Sequence, residues 1–200
     1  MNRTKIEWAD WTWNPITGCL HGCPYCYARR AAEDGPYLRG RGGYDAVHPF
    51  EPAFHPNRLS EPCGPRQRPS LIFVSSMGDA LGEWVPREWI SQVIDVCQRA
   101  PRHRFLWLTK NPARYVEFDW PVNCWLGTSV TGYGDPQNDE YYRLVYLASA
   151  AELKAPGRTF ISLEPFTSRV RFGLLSLPHT WAAAWVIMGA QTNPRVLPSR

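Results

Sequence analysis

A chain of 200 residues, 44% hydrophobic and 20% charged, has the make-up of one globular domain. It can bury roughly 70% of the surface its unfolded form exposes, so covalent staples are not needed. The formal net charge of +4 excludes a strong polyanion or polycation. It is a mild bias that suits nucleic acid or an anionic small molecule and decides for neither. No apolar run approaches the ~18 residues of a membrane span, and the opening MNRTKIEWADWTWN has no apolar h-region. The expectation is a cytoplasmic protein with no membrane partner.

In chain order, residues 5–14 read as an extended aromatic segment leading into a cysteine-rich loop. Trp8, Trp11 and Trp13 crowd this stretch; packing is the first reading and stacking on a base or adenine the second. YCYARRAAED then has helix-forming composition, stopped by DGP. Residues 35–70, with many Gly and Pro and little periodicity, predict a loop-rich insertion with one short strand near Phe50–Phe54.

A rhythm follows. SLIFVSS (70–76) is a compact apolar run and reads as a buried strand. In VPREWISQVIDVCQRA (85–100), Trp89, Val93, Val96, Cys97 and Ala100 fall three or four apart, one face of a helix, and Pro86 suits its first turn. RFLWLTK (104–110) is a strand. NPARYVEF reads as a short helix capped by Asn111 with Pro112 just inside. NCWLGTSV (123–130) is a strand, DPQNDEYYRLVYLASAAE a helix, RTFISLEP (158–165) a strand, and WAAAWVIMGAQ holds another near 184–188.

Apolar strands alternating with helices indicate parallel pairing. The expected class is α/β: one domain over 1–200, a partial (β/α) barrel of about six or seven parallel strands with outer helices. A doubly wound open sheet competes. GAQTNPRVLPSR leaves the last strand without a covering helix, so the chain is expected to be truncated at its C-terminus or completed from elsewhere.

Polar residues gather at the strands' C-terminal ends: Ser75, Ser76 and Asp79, then Thr109 and Lys110, then Thr128 and Ser129, then Glu164. In parallel β/α folds that rim is where ligands bind. A cap or loop hydrogen bond would explain any one of them, but four successive strands share the pattern.

Cys19, Cys23 and Cys26 form C-x3-C-x2-C. Clustered cysteines in a reducing compartment bind metal or do chemistry more often than they pair. A structural zinc site needs a fourth ligand, here His21 or the distant His48 or His55. A [4Fe–4S] cluster held by three thiolates instead keeps one iron open to a ligand. Gly18, Gly22 and Pro24 let backbone wrap closely around such a group. Cys63, Cys97 and Cys124 read as ordinary residues, with Cys97 on a buried helix face.

The motif, with an aromatic before its last cysteine and set between a first strand and a first helix, resembles the radical S-adenosylmethionine superfamily. TKIEWADWTWNPITGC, FVSSMGD, LTKNP, SLEP and VIMGAQTNP together resemble more closely the three-Cys-motif, phage radical-SAM-like family of phages and bacteria. That family is in turn similar to spore photoproduct lyase. The resemblance implies a [4Fe–4S] cluster on Cys19, Cys23 and Cys26 whose open iron binds S-adenosylmethionine. It implies cofactor contacts at Ser76, Lys110 and Ser129, with Asp79 and Glu164 added from their rim positions. Tyr25 and Tyr27, flanking Cys26, take the places of a hydrogen-atom relay, with packing as the other role for Tyr25. In the lyase a thiol precedes the first serine; here the strand reads IFVSS, so the photoproduct reaction is not implied.

The leading expectation is therefore an enzyme that cleaves S-adenosylmethionine reductively to a 5′-deoxyadenosyl radical, which takes hydrogen from an unidentified substrate, with nucleic acid or a nucleotide as candidate. An electron donor such as flavodoxin or ferredoxin would be the partner. The alternatives are a non-catalytic iron–sulfur or zinc binding module, and a nucleic-acid-binding protein of phage origin.

Overall fold

The consecutive residues Phe105, Leu106 and Trp107 are all buried, which a strand achieves only when both faces of its sheet are covered. They belong to a seven-stranded sheet in the computed structural model of the chain, which describes residues 1–35, 38–64, 67–131, 140–166 and 183–190. Its strands are β1 (Asn2–Arg3), β2 (Trp11–Trp13), β5 (Leu71–Val74), β6 (Arg104–Thr109), β7 (Cys124–Ser129), β8 (Thr159–Phe166) and β9 (Trp185–Ala190), paired in that order. All pairs from β2 onward are parallel; β1 is antiparallel to β2. Two short strands, β3 (Ile16–Thr17) and β4 (Ala53–Phe54), pair separately.

The period-2 alternation of strands divides these side chains between two clusters. Ile72, Phe105, Trp107, Cys124, Leu126 and Ile161 face the larger core, where α2 (Arg87–Arg99) and α3 (Glu140–Leu153) bury Ile90, Val93, Leu144 and Leu147. Leu106, Phe160 and Ile187, with Leu71, Leu108, Trp125 and Trp185, face the other side. The sheet curls around that inner side: Trp8 touches Phe73 of β5 at 4.7 Å and Phe160 of β8 at 6.4 Å between ring centroids, although β6 and β7 lie between those strands. Both long helices pack on one face, whereas a doubly wound sheet carries helices on both.

Some boundaries differ from the sequence reading. The first helix, α1 (Tyr27–Glu33), starts after Cys26, which is its N-cap. Pro86 caps α2 rather than entering it. Val93, Val96, Cys97 and Ala100 are buried as expected, joined by Ile90 and Ile94, while Trp89 is half-buried; it packs against the core and stacks on Phe54, 5.4 Å between centroids. Pro112–Glu117 is a 3-10 helix with Asn111 at its N-cap position as expected, although the Asn111 side chain donates to the Leu81 carbonyl and makes no capping hydrogen bond. The residues before α3 from 132 to 139 and the segment 191–200, on which the expected truncation turns, lie outside the described residues. No described helix is long and apolar enough to cross a membrane.

Candidate functional site

The chain leaves β2 through Asn14, whose Oδ1 accepts from the Ser76 hydroxyl at 3.2 Å and the Met77 amide at 2.9 Å. The end of β2 is thus fixed to the exit of β5. Four residues on, the Gly18 amide donates to the Met77 carbonyl at 2.9 Å, and the Asp79 amide to the Gly18 carbonyl at 3.3 Å. Gly18 has φ +82°, and a Cβ there would overlap the Glu51 carbonyl. Only glycine enters the cysteine loop by this route.

Cys19 lies between that stitch and Phe50, whose carbonyl accepts the Cys19 amide at 3.2 Å. Arg29 closes the loop from the helix side, its guanidinium donating to the Cys19 carbonyl at 3.2 Å while lying over the Phe50 ring. The Cys26 sulfur accepts from the Arg29 amide at 3.3 Å. Burial pushes the Cys19 thiol up to about 12, with the Asp79 charge adding to it and the His21 amide opposing. Burial likewise raises Cys26, opposed by the amides of Arg29 and Ala28. All three thiols are free.

The strand ends supply the opposite wall. Lys110 follows β6; its ammonium donates to the Tyr25 hydroxyl at 2.9 Å and sits over that ring. Tyr27 donates its hydroxyl to the Ser76 carbonyl at 2.5 Å. It keeps 52% of its surface accessible in the open cavity, yet the hydroxyl itself sits among protein atoms, and this desolvation, with the neighbouring Cys26 charge, raises its pKa. Glu164 accepts on one oxygen from the Trp8 indole at 3.1 Å and the Ser162 hydroxyl at 3.3 Å. Asp79 is buried and ionised: burial pushes its carboxyl up, but hydrogen bonds and charge from His21, then the Lys110 amide and Thr109, carry the net shift down.

These groups share one cavity of about 710 Å³, within the roughly 300–1,000 Å³ of small-molecule sites. Its lining includes Cys19, Cys23 and Cys26, Tyr25 and Tyr27, and Ser76, Asp79, Lys110, Ser129 and Glu164. All ten residues expected at a site from the sequence therefore meet in one place. Ser75 and Thr128, the neighbouring rim residues, do not line it; Ser75 is held at φ +56°, and Thr128 donates to the Thr109 carbonyl at 2.9 Å.

A family profile described as "Protein of unknown function (DUF5131)" matches residues 3–199. The chain belongs to that family. No curated protein and no solved structure matches it. The family description assigns no chemistry, so the site's capabilities follow from the residues of this DUF5131 chain alone.

The sequence reading missed part of the site. Asn14 carries the contact between β2 and β5, and its rim position at the end of the first strand was the available signal. Trp8 is more than packing, since its N–H holds Glu164. His21, a candidate zinc ligand, has its Nε2 2.9 Å from Asp79 Oδ2. His55 is buried with Nε2 2.8 Å from the Thr17 hydroxyl, and His48 is exposed. Among the described residues no group of three His, Cys, Asp or Glu side chains is set to hold a single metal ion.

A cluster held at its corners asks for something else: several thiols spread along one wrapped loop, with amides directed at sulfur. Cys19 and Cys26 have those amides, and each senses Cys23. The donor set and the loop fit such a group.

Proposed function

We propose that this chain is a radical S-adenosylmethionine enzyme in which Cys19, Cys23 and Cys26 hold a [4Fe–4S] cluster. One observation carries the reading: three free thiols of a single loop and polar side chains from four successive strand ends line the same cavity. When bound, the cluster and S-adenosylmethionine would supply one-electron cleavage to a 5′-deoxyadenosyl radical, which takes hydrogen from the substrate. The curled sheet is then a partial (β/α) barrel with its ligand at the strands' C-terminal ends.

The chain's own residues bind, orient and shield. Lys110 offers a cation to the methionyl carboxylate, and Ser76 and Ser129 offer hydroxyls to its polar groups. Glu164, fixed on one oxygen by Trp8 and Ser162, offers an acceptor to a ligand hydroxyl. Tyr25 and Tyr27 serve as a hydrogen-atom relay. Support for Tyr27 is its place directly after Cys26 with its side chain lining the cavity, and support for Tyr25 is its hydroxyl beside Lys110. Lys5 and Arg30, with the flat faces of Trp8 and Trp185, line the cavity too. They supply the charge and stacking surface that a nucleotide or nucleic-acid substrate would use. An electron carrier of the ferredoxin or flavodoxin type, in the cytoplasm, would reduce the cluster.

The test is anaerobic reconstitution with iron and sulfide, then S-adenosylmethionine and dithionite. The proposal expects 5′-deoxyadenosine to accumulate, and Cys23→Ala to abolish it. Reconstituted iron that never cleaves the cofactor would end the enzyme reading.

A further inference from the structure

One carboxylate ties the cysteine loop to the strand ends. Asp79 is 5% exposed. Its Oδ1 accepts from the Leu81 amide at 3.0 Å and the Thr109 hydroxyl at 2.7 Å. Its Oδ2 accepts from His21 Nε2 at 2.9 Å and the Lys110 amide at 3.0 Å. An ionised carboxylate has about four lone-pair sites, and four protein donors fill them. The donors come from three stretches far apart in sequence: the loop between Cys19 and Cys23, the turn after β5, and the end of β6. An acceptor-only carboxylate requires the proton on His21 Nε2, and the His21 ring is itself set edge-on against Trp84 at 4.8 Å.

We infer that Asp79 and His21 form a latch that positions the three-cysteine loop against the strand-end rim, and that Asp79 is a positioning residue rather than a cofactor ligand. With its lone pairs engaged inside the protein, Asp79 has none left for an incoming amine or hydroxyl. The latch holds the loop from the side, between two of its thiols, while the backbone contacts at Gly18 and the N-cap at Cys26 hold its two ends. It rests on the cluster reading only for what the loop carries.

The test uses the metal-free chain and needs no activity. Alkylation of each cysteine by iodoacetamide is followed by peptide mass spectrometry, with half-buried Cys63 as an internal reference. His21→Ala removes the donor; His21→Gln keeps an N–H at similar reach. The latch predicts that His21→Ala raises the Cys19 and Cys23 rates about tenfold, since local opening becomes easier when a charge-assisted bond is lost. It predicts that His21→Gln returns them close to wild type and that Cys63 does not change. Unchanged loop rates in His21→Ala, or an equal rise at Cys63, would overturn it. A wild-type chain that binds no iron would end the cluster reading and leave the latch standing, whereas flat alkylation rates would do the reverse.

Discussion

Gly18 and Gly22 form a matched pair for testing how tightly the cysteine loop is built. Both hold left-handed backbone, with φ of +82° and +69°. A side chain in that region costs about 1–2 kcal/mol. Among the described residues Gly22 has no atom within 4 Å of an added Cβ, so Gly22→Ala bears the backbone cost alone, a fall in Tm of roughly 2–8 °C for a chain of this size. At Gly18 the same methyl would overlap the Glu51 carbonyl and come within 2.6 Å of the Pro52 nitrogen. Those are backbone atoms and cannot swing aside. Overpacking adds about 1–3 kcal/mol, which brings Gly18→Ala to about 2–5 kcal/mol and a Tm fall of roughly 4–20 °C. Relief has two routes. Either Glu51 retreats and carries Phe50, whose carbonyl holds the Cys19 amide, or Gly18 moves and gives up Met77. Both displace Cys19. Thermal unfolding by circular dichroism, with iron per chain after reconstitution, reads the two effects. Gly18→Ala should lose clearly more of each. Equal Tm losses for the two variants would refute the steric argument.

Two further outcomes follow from the same geometry. Ser75 holds φ +56° with a buried hydroxyl that has no hydrogen-bond partner among the described residues, so Ser75→Gly should raise Tm by a few degrees, about 1 kcal/mol of relieved strain; a fall would mean that the hydroxyl is engaged. Burial, with the Arg58 charge, lowers the His55 pKa to about 4. The unfolded chain takes up a proton below about 6.5 while the folded chain resists it. This stability is therefore intact above that pH and drains as pH falls toward 4, at about 1.4 kcal/mol per unit. Denaturant titrations from pH 7 to 4.5 should show His55→Gln losing less than wild type; parallel losses would contradict the assignment.

The strands were readable because sheets covered on both faces leave unbroken apolar runs, as in LIFV and RFLWLT. β1 was not: Asn2 and Arg3 are exposed and carry no apolar pattern. The buried face of α2 was legible at Val93, Val96, Cys97 and Ala100; only Trp89 is shallower than its spacing predicts, because it stacks on Phe54, a partner that no periodicity reveals. Pro112 signalled a helix start correctly, but six residues sufficed only for a 3-10 turn. In the site, spacing exposed the cysteines, the strand-end rule offered eight rim residues from Ser75 to Glu164, and the family resemblance singled out Ser76, Lys110 and Ser129 among them. What stayed hidden was pairing at a distance. His21 meets Asp79 across 58 positions, Trp8 meets Glu164 across 156, and Asn14 meets Ser76 across 62. Those contacts depend on how the sheet curls, which local sequence does not specify.

The most direct test is electron paramagnetic resonance and iron analysis of the anaerobically reconstituted, dithionite-reduced chain, before and after S-adenosylmethionine is added. Three-thiolate ligation predicts about four irons per chain and a reduced-cluster signal that shifts when the cofactor occupies the open iron. A chain without iron, or a signal indifferent to the cofactor, would contradict the account.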